Sequence, residues 1–344
     1  MEKVKPTIIG GGQHSDRYFP EVNIVRGIAL ILVVLGHSFP DGDMGPTLFT
    51  AKWIRGFLYL FHMGVFFVLS GFVMSARLYR GTYTLKNEIW KKVSRLLFPY
   101  FFYSCLTLLP KLILTKYVNN PVDINSLWMV LLGRSPNGGM WFLWHLFLIS
   151  VVFLCVMKFL NKTSDGTKTL VVMTIGIIGY CLYESNKTGI LSYTNKFAIF
   201  FSIGIVLGRY YPFIKRYFKI LPAMILLVAD LVIACPKLNI SVAYVVTGVL
   251  GFYGLYTIGT RMNLSNTTIR RVMDYLGTNS YGIYLLSYFG QIPLRIILYS
   301  KMQLPYWICV CAMFIGGMII PVIGMQIIRK NKLLQVLALG ESGK

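Results

Sequence analysis

The chain has few charged residues for its length. Only 13% of its 344 residues are Asp, Glu, Lys or Arg, whereas 56% are hydrophobic. A soluble protein of this size would have roughly 25% charged residues. Apolar runs of about 16–23 residues recur along the sequence, which is typical of a helical protein that crosses a membrane several times. We therefore expect an all-α integral membrane protein embedded in a lipid bilayer.

Several motifs of catalysis and metal binding are also missing. The sequence has no G-x-S-x-G elbow, no P-loop and no H-E-x-x-H pair. Its six cysteines include no C-x-x-C pair and no cluster with histidine at zinc spacing, so we expect no metal site. Asp230 alone lies in the middle of an apolar run, whereas proton-coupled transporters usually need acids there. With these kinds of site excluded, the remaining candidates for chemistry are histidine, arginine and hydroxyl groups.

Acids are outnumbered by bases, with 12 Asp and Glu against 34 Lys and Arg and a net charge of +22. Such an excess would suit nucleic-acid binding if the bases gathered on one polar face. Here they concentrate in alternate loops, as the positive-inside rule predicts for a membrane protein, so we expect no nucleic-acid partner. The same rule places the basic loops and both termini in the cytoplasm, which requires an even number of spans.

We predict ten membrane-spanning helices and a single membrane domain over 21–330. A flexible cytoplasmic tail (1–20) precedes this domain, and a second cytoplasmic tail (331–344) follows it. No cleavable signal peptide is visible, so the first span should remain in the mature protein. The ten spans are predicted at about 22–40, 54–76, 96–117, 139–160, 168–184, 193–211, 217–235, 240–260, 276–299 and 305–328.

Arg26 and His37 lie in the first span and are eleven positions apart. Eleven residues make about three helical turns, so both side chains point nearly the same way. Imidazole titrates near neutral pH and suits a general base that removes a proton from a hydroxyl, whereas guanidinium suits an anionic group. The alternatives are a buried histidine with a satisfied hydrogen bond and an arginine that reaches the membrane surface.

Further candidate residues lie near the predicted membrane surfaces. His62 is expected near the height of His37, as a second polar group at the site or as its hydrogen-bonding support. Trp141 and His145 form an aromatic, partly polar rim that suits a sugar ring, although interfacial tryptophans are common. The basic cluster that ends at Lys92 and Arg95 would attract the phosphates of a nucleotide cofactor, or would simply mark the cytoplasmic side.

Five segments in the same order resemble the membrane acyltransferase-3 family, in particular its fucose-4-O-acetylase-like branch. They cover most of the region between residues 20 and 290. Two positions depart from the family pattern, because Gly64 replaces a usual proline and Ser287 replaces a frequent histidine. The five segments are RGIALILVVLGHS (26–38), FHMGVFFVLSGF (61–72), KKVSRLLFPYF (91–101), WFLWHLF (141–147) and LGTNSYGIYLL (276–286).

The resemblance implies about ten helices and an acetyl-CoA donor that enters from the cytoplasm. The acyl acceptor would be a hydroxyl of a sugar or of a lipid-linked glycan. By the same resemblance His37 is the catalytic base, Arg26 positions the donor or an intermediate, and Arg95, beside Lys92, contacts the CoA phosphates. The expected location is the cell membrane of a bacterium.

The sequence therefore predicts a membrane O-acetyltransferase that acts on a carbohydrate. The alternative is an exporter of glycans or lipids without transfer chemistry, although the paired, broken spans of such transporters are not visible. A membrane scaffold would need neither Arg26 nor His37. The acceptor, the acyl chain, the oligomeric state and the choice between direct transfer and an acyl-enzyme stay open at this point.

Overall fold

The computed structural model describes residues 19–40, 48–113, 124–237 and 244–341 of the chain. Helices fill most of these ranges, and no β-strand occurs within them. The predicted all-α fold is therefore confirmed for the described part of the protein. The predicted flexible tail (1–20) lies almost entirely outside the described residues.

Each of the ten predicted spans coincides with a helix. A π-helical turn (Val93–Leu97) joins α3 to α4, a second one (Arg295–Lys301) extends α10, and a 3₁₀ segment (Ile124–Leu132) precedes α5. The α-helices in the described ranges are α1 (Pro20–Gly36), α2 (Phe49–Arg80), α3 (Leu85–Lys92), α4 (Phe98–Ile113), α5 (Trp141–Phe159), α6 (Asp165–Ser185), α7 (Ser192–Ile214), α8 (Ile220–Ile233), α9 (Tyr244–Asn263), α10 (Thr268–Leu294), α11 (Tyr306–Ile328) and α12 (Lys332–Leu339).

Five helices of the described chain are long and apolar enough to cross a membrane, judged by length and composition. They are α2, α5, α6, α11, and α7 together with its continuation to Tyr217. Helix α8 is apolar but has only 14 residues. The membrane character of the protein follows from these helices, while the number of ten spans and the cytoplasmic position of both termini stay predictions.

Glycines bring several pairs of helices into backbone contact, among them α2 with α7 and α1 with α10. At Gly71 of α2 and Gly204 of α7, an added Cβ would overlap a carbonyl oxygen of the facing helix. The same holds between α1 and α10, where a Cβ on Gly277 would overlap the carbonyl oxygen of Asn23. Small residues let membrane helices approach closely and gain van der Waals contact. These contacts fix α1 and α10 side by side, and both helices carry predicted site residues.

Buried charge at the start of α1 is satisfied by hydrogen bonds. The carboxylate of Glu21 accepts hydrogen bonds from the hydroxyls of Tyr211 (2.8 Å) and Tyr256 (3.3 Å). These bonds tie α1 to α7 and α9. Because an unpaired buried carboxylate is costly, Glu21 is explained as a structural residue.

The segment that we predicted as a C-terminal tail contains a packed helix, α12. The side chain of Asn331 caps its start by accepting hydrogen bonds from two backbone N–H groups. Its other end is buried at Leu339, and the helix packs on α4 and on the π-helical turn before α4. An ion pair between Arg329 and Glu341 (2.8 Å) closes this segment on α11.

Candidate active site

A cavity of about 210 Å³ lies at the end of the bundle that carries the basic loops. We call it the basic-end cavity. Three cationic side chains line it, namely Arg26 of α1, Lys92 of α3 and Arg95 of the π-helical turn, and no acid is among its lining residues in the described chain. One face of α10 also lines it, at Gly277, Ser280, Tyr281 and Tyr284.

Arg95 is held in place by contacts on two sides. Its guanidinium lies over the ring of Tyr281, with 4.8 Å between Cζ and the ring centroid, and the hydroxyl of Tyr281 donates to the carbonyl oxygen of Arg95. From α12, Gly340 packs on the same backbone. Its φ of 59° is left-handed, and a Cβ there would come within 2.7 Å of the Arg95 Cα and carbonyl oxygen.

Lys92 is half-buried beside Arg95, and its Nζ lies 3.1 Å from the sulfur of Met74. Burial, followed by the positive charges of Arg95 and Arg77, lowers the pKa of Lys92 to about 8. A bound phosphate would favour the charged form of this lysine. The cavity is therefore suited to an anionic ligand, as the sequence predicted from the cluster at Lys92 and Arg95.

A second cavity, of about 240 Å³, contains His37, and we call it the His37 cavity. His37 follows the last residue of α1 directly, and its backbone N–H bonds to the carbonyl of Val33 at 3.1 Å. The imidazole Nδ1 lies 3.3 Å from the hydroxyl of Tyr59 and 3.3 Å from that of Tyr288. Two phenols thus flank one nitrogen of the candidate base.

His62 is buried next to His37 but is not among the residues that line the two cavities. Its Nδ1 lies 2.6 Å from the carbonyl oxygen of Leu58. Because a carbonyl only accepts, Nδ1 carries the proton and Nε2 is left as an acceptor. The rings of His62 and His37 lie 6.3 Å apart between centroids, and that of Tyr59 lies 4.8 Å from His62. This arrangement favours the interpretation that His62 supports the site, over the alternative that it is a second polar group at the site.

The two cavities follow the same faces of α1 and α10. On α1, Arg26 and Val33 line the basic-end cavity, and His37 lines the other. On α10, Tyr284 lines the first cavity and Tyr288 the second. These tyrosines are one helical turn apart, which corresponds to about 6 Å along the helix. A ligand at the basic end and a ligand in the His37 cavity would therefore approach each other beside His37.

Arg26 and His37 lie too far apart for both side chains to contact the same reacting group. The two residues line different cavities, and eleven residues of helix extend over about 16 Å. Arg26 instead lies in the same cavity as Arg95 and Lys92. Its predicted role in positioning a donor fits this location, whereas direct contact with the group bound at His37 does not.

Trp141 and His145 lie in a third cavity, of about 540 Å³, which we call the Trp141 cavity. The Trp141 ring stacks on Tyr193 at 4.7 Å between centroids, and the Nδ1 of His145 lies 2.7 Å from the hydroxyl oxygen of Thr194. Asn137 lines both this cavity and the His37 cavity. The predicted acceptor-side residues therefore line a cavity next to the His37 cavity and are not in the same cavity as His37.

The tyrosines of this region are candidate site residues that no sequence motif indicated. Tyr281, Tyr284 and Tyr288 recur at intervals of three and four residues, which places them on one face of a helix. This spacing is the feature of the sequence that could have indicated a shared row of tyrosines at the site. At the departures from the family pattern, a Cβ on Gly64 would lie 3.0 Å from the Phe200 ring, and Ser287 donates to a backbone carbonyl of its own helix, at 3.0 Å.

The chain is similar in sequence to known proteins. Nodulation protein NolL of Mesorhizobium japonicum is 28% identical over 147 residues, which are 41% of this chain and 36% of NolL. The chain therefore matches only about a third of the length of that relative. No solved structure shows significant similarity. The family model of the acyltransferase-3 acyltransferase domain matches residues 19–325, and the chain therefore belongs to the acyltransferase-3 family.

Proposed function

We propose that this protein is a membrane O-acyltransferase that moves an acetyl group from acetyl-CoA to a hydroxyl of a sugar or cell-surface glycan. The observation that carries the proposal is the approach of two cavities from opposite ends of the bundle to within about one helical turn beside His37. The basic-end cavity would take the donor from the cytoplasm, and the His37 cavity would take the acceptor. The protein would act in the cell membrane of a bacterium.

In the proposed reaction, the phosphates of CoA bind to Arg95, Lys92 and Arg26. The thioester extends past Val33 towards His37. The imidazole removes the proton of the acceptor hydroxyl while its oxygen attacks the thioester carbonyl. The carbon–sulfur bond then breaks, and the CoA thiolate takes the proton from the imidazolium.

His62 would support His37, and the hydroxyls of Tyr59 and Tyr288 would orient the imidazole ring of His37.

The direct test is mass spectrometry of surface glycans from cells with and without the gene. We expect a difference of one acetyl mass on a single glycan. An exporter would instead change the amount of glycan on the surface and leave its mass unchanged. Purified protein in detergent should also release CoA from acetyl-CoA when the extracted glycan is added.

The lowered pKa of Lys92 predicts that binding of the donor depends on pH. Because its pKa is lowered to about 8, the side chain is positively charged below that pH and loses its charge as the pH rises through it. We expect the KM for acetyl-CoA to rise several-fold between about pH 7 and pH 9. In Lys92→Arg, which stays charged, this rise should disappear. An identical pH profile in both proteins would contradict the role of Lys92.

The close contact between Gly340 and the backbone of Arg95 predicts that α12 positions the donor site. The substitution Gly340→Ala forces a Cβ against the backbone of Arg95 and adds strain at a left-handed φ. We expect an increase of about tenfold in the KM for acetyl-CoA with a smaller change in kcat, similar in direction to Arg95→Ala. The control is Gly166→Ala, where the nearest side-chain atom is 3.8 Å from the added Cβ. Equal kinetics for Gly340→Ala and wild type would contradict this prediction.

A further inference from the structure

The His37 cavity and the Trp141 cavity are neighbours at the less basic end of the bundle. Asn137 and Gly138, in the turn before α5, line both of them. Their volumes of about 240 Å³ and 540 Å³ together fall in the range of about 300–1,000 Å³ that is typical of ligand sites. This is more space than the transfer of an acyl group to one hydroxyl requires.

Asn137 holds an unused hydrogen-bond donor where the two cavities meet. The residue is only 4% exposed, and its Oδ1 accepts a bond from the backbone N–H of Gly139 at 3.1 Å. Its Nδ2 is buried and has no hydrogen-bond partner within the described structure. Because buried amide groups are normally bonded, this donor is available to an oxygen atom of a ligand.

Gln291 offers the complementary group inside the His37 cavity. Its Nε2 donates to the carbonyl of Val34 (2.8 Å) and to the hydroxyl of Ser38 (3.0 Å), which fixes the orientation of the amide. The Oε1 is buried without a partner among the described residues. Sugar hydroxyls both donate and accept hydrogen bonds, and so they match Gln291 and Asn137 together.

Among the described residues that line the two cavities, the charged side chains all have one sign. Lys111 and Arg295 line the His37 cavity, and Arg134 and Lys187 line the Trp141 cavity. No Asp or Glu is among the described residues that line either cavity; Glu184, which pairs with Lys187 at 2.8 Å, lies outside the lining. Four bases at the end with fewer basic loops favour an anionic ligand.

We propose that the acceptor is an acidic glycan that occupies both cavities at once. This inference rests on the acyl transfer proposed above and specifies its substrate class. The sugar to be acylated lies in the His37 cavity, the chain passes Asn137, and a neighbouring sugar stacks on Trp141. Arg134 of the Trp141 cavity binds its anionic group, which is a carboxylate or a phosphate.

The test uses total surface glycan from cells that lack this gene, detergent-solubilised protein and radiolabelled acetyl-CoA. Labelled glycan is separated by anion-exchange chromatography, and we expect the label in the retained, acidic fraction. Label in the unretained, neutral fraction would overturn the acidic acceptor and leave the transferase proposal intact. A complete lack of protein-dependent labelling would instead overturn the transferase proposal itself.

Chemical treatment of the same glycan distinguishes the two anions. Loss of labelling after carbodiimide-mediated reduction of carboxyl groups identifies a carboxylate. Loss of labelling after removal of phosphate with aqueous hydrogen fluoride identifies a phosphate. Undiminished labelling after both treatments would contradict the inference.

Variants test the two-cavity site independently. Asn137→Asp keeps the acceptor for Gly139 but replaces the unused donor by a negative charge. We expect it to raise the KM for the acidic glycan about tenfold or more, with the KM for acetyl-CoA unchanged. Arg134 is exposed, so Arg134→Gln should leave the fold intact, and we expect it to raise the KM for the acidic glycan several-fold. The control is Lys52→Gln, because Lys52 is also exposed but lines neither cavity. A glycan KM that is equal in Arg134→Gln and Lys52→Gln would overturn the proposed binding mode.

Discussion

Acyl transfer to the glycan is expected to disappear when His37 is replaced by alanine. His37 is the only histidine among the described residues that line the His37 cavity, where the other ionisable side chains are two phenols, a lysine and an arginine. A general base contributes typically about 10²–10⁴-fold to the rate. The measurement is transfer of radiolabelled acetyl groups to extracted glycan by purified His37→Ala and wild-type protein.

The His37→Ala variant should retain its membrane insertion and its donor site. His37 follows the end of α1 and is bonded through its backbone to Val33, so removal of the side chain leaves the helix end in place. We therefore expect an unchanged elution volume in detergent and unchanged binding of acetyl-CoA. The matched variant is His62→Ala, which we expect to lower kcat without abolishing transfer. Full acetylation of surface glycans in cells with His37→Ala would end the catalytic assignment.

Gly277→Ala is expected to disrupt the packing of α10 on α1. An added Cβ would overlap the carbonyl oxygen of Asn23, and neither backbone can move without separating the two helices. Overpacking in a well-packed interior typically costs about 1–3 kcal/mol, and a clash with backbone belongs at the upper end of this range. We expect a lower Tm in detergent and a loss of transfer, since both helices line both cavities.

Gly56→Ala is the matched control for this prediction. Gly56 is also a helical glycine, but a Cβ there would make only an ordinary contact of 3.5 Å with the carbonyl oxygen of Ala234. Because alanine is favoured over glycine in a helix by roughly 1 kcal/mol, Gly56→Ala should leave the Tm unchanged or raise it. If both variants had the same Tm, close helix contact would not be what Gly277 provides.

The helices could be predicted from the sequence because apolar runs long enough to cross a bilayer must bond their backbone internally. All ten predicted spans have a helix in the structure, including α8, which is short because its apolar run is short. The cluster at Lys92 and Arg95 was also predictable, since a basic cluster at a helix end attracts phosphates whatever its exact geometry. The C-terminal segment was different: its eight helical residues resemble a tail because their partners, α4 and the π-helical turn, are distant in sequence.

The division of the site into three cavities could not be predicted. Arg26 and His37 share a helix face, and Trp141 and His145 share a short segment, but neither spacing indicates which residues face a common space. That depends on how α10 packs against α1 and on the path of the turn at Asn137. Likewise, the pairing of Tyr288 with His37 joins residues that are 251 positions apart.

The sequence by itself determined that this chain is an all-helical membrane protein of the acyltransferase-3 family, because bilayer-length apolar runs and ordered local motifs carry that information without tertiary contacts. The tertiary structure decided that the bases at one end and His37 line separate cavities about one turn apart. It also placed a buried amide donor of Asn137 at the lining of both the His37 cavity and the Trp141 cavity. Such features depend on the relative positions of helices, which are set by close glycine contacts between segments that are distant in sequence.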